Sequence, residues 1–219
     1  MKTFTCSLLT IVILFVTEGF IQNTGKDRYD LLRELDQKVK IEEIPKTNIV
    51  SLNFTGSYQR HPEAYAKLSS YVMNNYVTVG TIIGIYPEDP DLVSEAKLTW
   101  KISLRILPKK PQHILNNSGN SDPFAIPATK ELLSSPLSQF KTPKKPFTLE
   151  QLPPVTAVTL VTDVAHLGKY GLAINAWISM NNYVQTGTTR TEFGSSTAKS
   201  AEIPVKIIVP IKKRSRETI

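Results

Sequence analysis

Chemistry needs reactive side chains at workable spacing, and this chain of 219 residues holds few. His61, His113 and His166 lie far apart, without the i, i+4 or short-loop spacing of metal ligands, so no metal is expected. The one cysteine, Cys6, falls in a segment that reads as a leader, so neither a disulfide nor a thiolate site is expected in the mature protein. There is no glycine-x-serine-x-glycine elbow, phosphate-binding loop or dinucleotide fingerprint, and no cofactor is expected. The residue that stands out is Glu192, and it does so only against an internal repeat.

Met73–Thr81 recurs as Met180–Thr188, with an offset of 107 and seven of nine positions identical. Glu43-Ile44-Pro45 and Ile49–Leu52 match Gln151-Leu152-Pro153 and Ala157–Leu160 upstream, in the same order, which points to duplication. In this alignment Glu192-Phe193 stands where the first copy has Ile85-Tyr86. The carboxylate is therefore one-sided. In an apolar groove it must meet a cation or hold its proton; the alternative is a solvent-facing strand residue. Tyr58, Tyr86, Trp100 and Trp177 are candidates to wall such a groove and cradle a cation, although each also reads as core packing.

The elements that must position these residues follow a common plan in each copy: strand, strand, helix, strand, strand. Val50, Leu52 and Phe54 alternate as in a half-buried strand, and Trp100, Ile102, Leu104 and Ile106 do the same. Tyr65, Leu68, Val72 and Tyr76 recur at helical spacing after Pro62, which suits a first helical turn. In the second copy Tyr170, Ile174, Trp177 and Ile178 mark the helix, and Val205, Ile207, Val209 and Ile211 mark the last strand. The class is α+β, a tandem β-β-α-β-β duplication about a pseudo-twofold axis. Each half exposes an apolar sheet face, and pairing the halves is expected to bury both and leave a groove between them. The predicted bounds are an N-terminal extension over 20–37 and a domain over 38–211. That domain comprises repeat one (38–107), a proline-rich mobile linker (108–146) with a short helix near Ala128–Leu133, and repeat two (147–211), followed by a basic tail (212–219).

The net charge of +7 is local. Six lysines oppose Asp122 and Glu131 between Pro108 and Pro146, and Lys212, Lys213, Arg214 and Arg216 oppose Glu217 at the end. This distribution suits solvated loops; an anionic membrane surface is a conceivable partner, and nucleic acid is not expected. Lys2, the apolar stretch Leu8–Val16 and the small residues around Glu18 read as a signal peptide over 1–19, or else a short anchor. The expected location is secreted, periplasmic or in the secretory-pathway lumen, with membrane anchoring as the alternative. Asn53 and Asn116 match the glycosylation pattern.

Several words along the chain resemble the GyrI-like family, the effector-binding domain of multidrug-sensing activators, whose fold SOUL-type proteins share. They are Gly56-Ser57-Tyr58, Gly84-Ile85-Tyr86-Pro87-Glu88-Asp89-Pro90, Trp177 with Asn181-Asn182, and Ile203-Pro204. The resemblance implies a monomeric, non-catalytic module that takes a small lipophilic or cationic molecule in the inter-repeat groove. Glu192 and Phe193 stand at the family's buried-glutamate place, with Tyr58, Tyr86, Trp100 and Trp177 around them. The resemblance also leaves three other readings open: a hydrolase of reactive hydrophobic compounds using Glu192 as base, a scaffold akin to endoplasmic-reticulum autophagy receptors, and a distant haem option.

Overall fold

A computed structural model describes residues 25–88, 92–108, 122–124, 128, 130–194 and 202–214. The leader, Asn116, most of the first half of the linker and the end of the tail lie outside the described residues. No described helix is long and apolar enough to cross a membrane.

The chain forms α1 (Gly25–Lys38), β1 (Lys40–Ile44), β2 (Thr47–Thr55), α2 (His61–Asn75), β3 (Val77–Ile85) and β4 (Thr99–Leu107). A four-residue α3 (Lys130–Leu133) precedes β5 (Phe147–Leu152), β6 (Val155–Asp163), α4 (Leu167–Met180), β7 (Tyr183–Gln185), β8 (Arg190–Phe193) and β9 (Pro204–Lys213). The nine strands make one sheet in the order β1-β6-β9-β8-β3-β4-β2-β5, with β7 also on β9, and all pairings are antiparallel. The expected α+β duplication is present.

The repeats differ from the expected arrangement in how they meet. β1 pairs with β6 and β5 pairs with β2, so each copy gives its first strand to the other copy's half of the sheet. The halves join along β3–β8, where Ile83 faces Glu192, Gly84 faces Thr191 and Ile85 faces Arg190. Gly84 and Thr191 differ by the repeat offset of 107, so the pseudo-twofold axis passes through this pair.

The expectation that the halves bury each other's apolar faces is corrected. Each face is covered by its own helix. α2 lays Ala64, Leu68 and Val72 on Val50, Leu52, Trp100, Ile102 and Ile106, while α4 lays Tyr170, Ile174 and Ile178 on Val158, Leu160, Ile207 and Val209. The period of two in the strands and 3.6 in the helices makes these two stripes meet. The N-terminal extension belongs to the second core: Leu35 of α1 is fully buried there, and α1 packs along α4. The second half of the linker is also packed rather than free. Leu133 joins Val79 and Leu107, and Phe140 enters the α2 core.

Because Leu35 is a fully buried part of the α4 core, Leu35→Ala is expected to cost about 2–5 kcal/mol of stability. Urea unfolding of the two proteins checks this, and an unchanged midpoint would mean that α1 does not dock.

Candidate functional site

Strand alternation turns Glu192 and Phe193 to opposite faces of β8. On the α2 side, Phe193 meets the His61 ring at 5.6 Å between centroids, and His61 stacks on Trp100 at 5.5 Å. The Tyr86 hydroxyl lies 2.8 Å from His61 Nε2, and Tyr58 packs edge-on to both Tyr86 and Trp100. A Cβ at position 84 would sit 2.5 Å from the Tyr86 ring, so Gly84 is what lets that ring lie against β3. Tyr58, Tyr86, Trp100 and Phe193 thus form one cluster around His61. Burial holds the imidazole down to about 4. Trp177 is elsewhere, buried in the α4 core with its indole N–H donating to Asp36 Oδ1 at 2.6 Å.

Glu192 faces away from that cluster. It is 3% exposed and forms an ion pair with Arg105 Nη2 of β4, itself 4% exposed. Thr81 Oγ1 lies 3.5 Å from the second carboxylate oxygen. The cation that a one-sided carboxylate requires is therefore supplied by the chain. Arg190, two residues earlier on the same face, is pushed below the usual arginine range first by burial and then by the Arg105 charge, against the pull of Glu192. Nε and Nη1 of Arg105, and Oγ1 of Thr47, are buried without a hydrogen-bond partner among the described residues. Residues Arg105 and Thr47 line a cavity of about 20 Å³, together with Arg190, Glu192 and apolar side chains that include Ile44, Leu133 and Leu152.

Two further ion pairs repeat about the axis. Lys101 Nζ bonds Glu150 at 2.8 Å, and Lys206 Nζ bonds Glu42 at 2.7 Å. Glu150 stands opposite Ile49 and Glu42 opposite Ala157, the equivalent positions of β2 and β6. Each glutamate also accepts from a threonine, Thr148 or Thr159. Burial raises both carboxyls, but the lysines and hydroxyls outweigh it and leave them below the usual range. Because the first strands are exchanged, each pair ties one copy to the other.

Arg105 and Arg190 carry no motif, and reasoning by motif passes over them. A signal was present: if Trp100, Ile102 and Leu104 face α2, then Lys101, Ser103 and Arg105 make a polar stripe on the other side.

No protein-family model matches the chain, and no curated protein matches it. Solved structures do. The C-terminal domain of EcmrR is 15% identical with a TM-score of 0.57, over 80% of this chain and 98% of that one. EcmrR in a complex with DNA is 14% identical with a TM-score of 0.58, over 84% of this chain. The match spans 63% of that longer EcmrR chain. A hydrolase encoded by lin2189 from Listeria innocua is 12% identical with a TM-score of 0.48, over 80% of this chain and 92% of that one. At these identities likeness speaks to fold alone. The chain has the GyrI-like α+β fold, that of the EcmrR C-terminal domain.

Two predictions follow from this geometry. Arg105→Met leaves Glu192 buried without its hydrogen-bonded cation and is expected to cost about 3–5 kcal/mol, whereas adding Glu192→Leu returns stability to near the parent or above it. Urea midpoints for the single and double variants check this; equal losses in both would deny the pairing. His61 has a lowered folded pKa, so the unfolded state binds its proton first and stability falls as pH drops below about 6.5. A pKa of about 4 against an ordinary 6.5 predicts a loss of about 2 kcal/mol by pH 5. That step is expected to vanish in His61→Phe, and a chemical-denaturation series from pH 7 to 5 reads it.

Proposed function

We propose that this chain is a non-catalytic small-molecule-binding module whose site is the Arg105–Glu192 centre on the sheet face turned away from α2 and α4. The observation that carries the reading is the buried charge itself. Two guanidiniums and a carboxylate sit with unpartnered donors beside a cavity where β3, β4 and β8 meet. Buried ion pairs add little stability over well-packed apolar residues, and strongly perturbed charge clusters are commoner at working sites than elsewhere. The cavity of about 20 Å³ has room for a polar end group, so the body of a ligand rests on the surrounding apolar side chains.

Two details favour binding over hydrolysis. Arg105 and Thr81 occupy the Glu192 carboxylate, and Tyr58 and Tyr86, the donors a hydrolytic scheme would use, lie across the sheet. The N-terminal sequence supports a role outside the cytoplasm or at a membrane, through Lys2 and the apolar stretch Leu8–Val16.

A thermal-shift panel of lipophilic cations, neutral amphiphiles and small acids on the full chain tests the reading. At a hundredfold excess over Kd, a true ligand is expected to raise Tm by roughly 5–10 °C. The shift is expected to be absent in the Arg105→Met/Glu192→Leu double variant. A panel that moves neither protein, or both equally, would overturn the assignment of this site.

A further inference from the structure

The centre of the site holds more positive charge than it neutralises. Arg105 and Arg190 set two guanidiniums against the one carboxylate of Glu192, leaving one positive charge. The nearby lysines do not alter this balance, because Lys101 and Lys206 are each matched by a glutamate. Arg105 is 4% exposed, yet only Nη2 has a partner among the described residues. Its Nε carries one N–H and its Nη1 two, so three charged donors of a residue that lines the cavity have no partner among the described residues.

We propose that the cavity takes the carboxylate end of a small apolar acid, held by Arg105 and Arg190. This rests on the small-molecule-binding reading and reverses the charge of ligand that Glu192 suggests in the sequence alone. A cation entering here would have to take Glu192 from Arg105 while facing Arg190. An anion meets a lining with two guanidiniums and one carboxylate, and a planar guanidinium matches a carboxylate in charge and shape. The volume of about 20 Å³ admits about one water-sized group, such as one carboxylate oxygen, so the rest of the acid lies at the mouth of the cavity. Ile44, Pro45 and Leu152 border the same space and are partly exposed, so they offer an apolar rest for the remainder of the acid.

Benzoate and benzylammonium, matched in size and opposite in charge, separate the alternatives in titration calorimetry of the full chain in chloride-free buffer. Benzoate is expected to bind with one-to-one stoichiometry. Arg190→Gln is expected to weaken it about tenfold or more, while Glu192→Gln strengthens it by freeing Nη2 and removing a like charge. Circular dichroism of each variant confirms folding, so that loss of binding is not loss of structure. If benzylammonium binds instead and Glu192→Gln abolishes it, the anion assignment falls while the binding-module reading stands. Benzoate binding that neither variant changes places the acid elsewhere and overturns the proposal. If neither probe binds but another compound of the thermal-shift panel does, only the acid is wrong; if the whole panel fails, both readings fall.

Discussion

The β3–β8 seam is the constraint on which the rest of this structure depends. Each half already has a helix over its own apolar face, so hydrophobic burial alone does not demand that the halves join. Four antiparallel residue pairs, from Ile82–Phe193 to Ile85–Arg190, make the two half-sheets continuous. A seam on a pseudo-twofold axis has a particular property: every residue beside it meets the counterpart of its own neighbour. Ile83 meets Glu192 and Ile85 meets Arg190, although Ile83 and Ile85 are themselves the repeat equivalents of Arg190 and Glu192. With isoleucine at these places in both copies, the axis would be an apolar patch. With the second copy charged, it becomes a charged cluster walled by the first copy's apolar residues.

One departure from symmetry requires another. A carboxylate at 192 without a partner would be a buried, uncompensated charge, which is costly. The partner comes from β4, not from the seam: Arg105, opposite Ile49 on β2. The equivalent place in the second half, opposite Ala157 on β6, holds Pro210, which has no charge to offer. So Glu192, Arg190 and Arg105 differ together from their mates. By contrast, the Lys101–Glu150 and Lys206–Glu42 pairs, farther from the axis, are retained in both halves. Symmetry is kept where charges tie the exchanged first strands in place and lost where the cavity is.

Much of the fold was legible because it rests on periodicity. The alternation in Val50–Phe54 and Trp100–Ile106, the helical spacing of Leu68 and Val72, and the Met73–Thr81 repeat each report a local pattern. Strand exchange was not legible. Whether β1 pairs with its own copy or the other depends on how the chain turns after Ile44, and the residues of the strand suit either neighbour. The fate of the linker was hidden for a related reason: Leu133 and Phe140 are isolated apolar residues among prolines and lysines, and isolated residues carry no period. Repeat alignment isolated Glu192 as the odd carboxylate, and the structure buries it against Arg105. The aromatic residues proposed alongside it lie on the other face, because a strand sends neighbours to opposite faces, and Phe193 joins Tyr58, Tyr86 and Trp100 on the α2 side. Trp177 followed the apolar stripe of α4 into the other core.

The partner of Glu192 shows why charge is harder to place than hydrophobicity. A carboxylate in a low-dielectric setting demands a cation, but sequence does not say whether the protein or a ligand provides it. Reading the demand as a vacancy for a ligand gives a cation-binding site; finding Arg105 in that place removes the need for a ligand cation. A single compensating arginine would have closed the matter and left a structural ion pair of modest worth. Arg190 reopens it. A second guanidinium at the same cavity is excess to what Glu192 can neutralise, and burial works against it. An isoleucine at 190, as at its repeat equivalent Ile83, would carry no such charge. The charge at 190, more than the pair at 105 and 192, is what a packing role alone leaves unexplained.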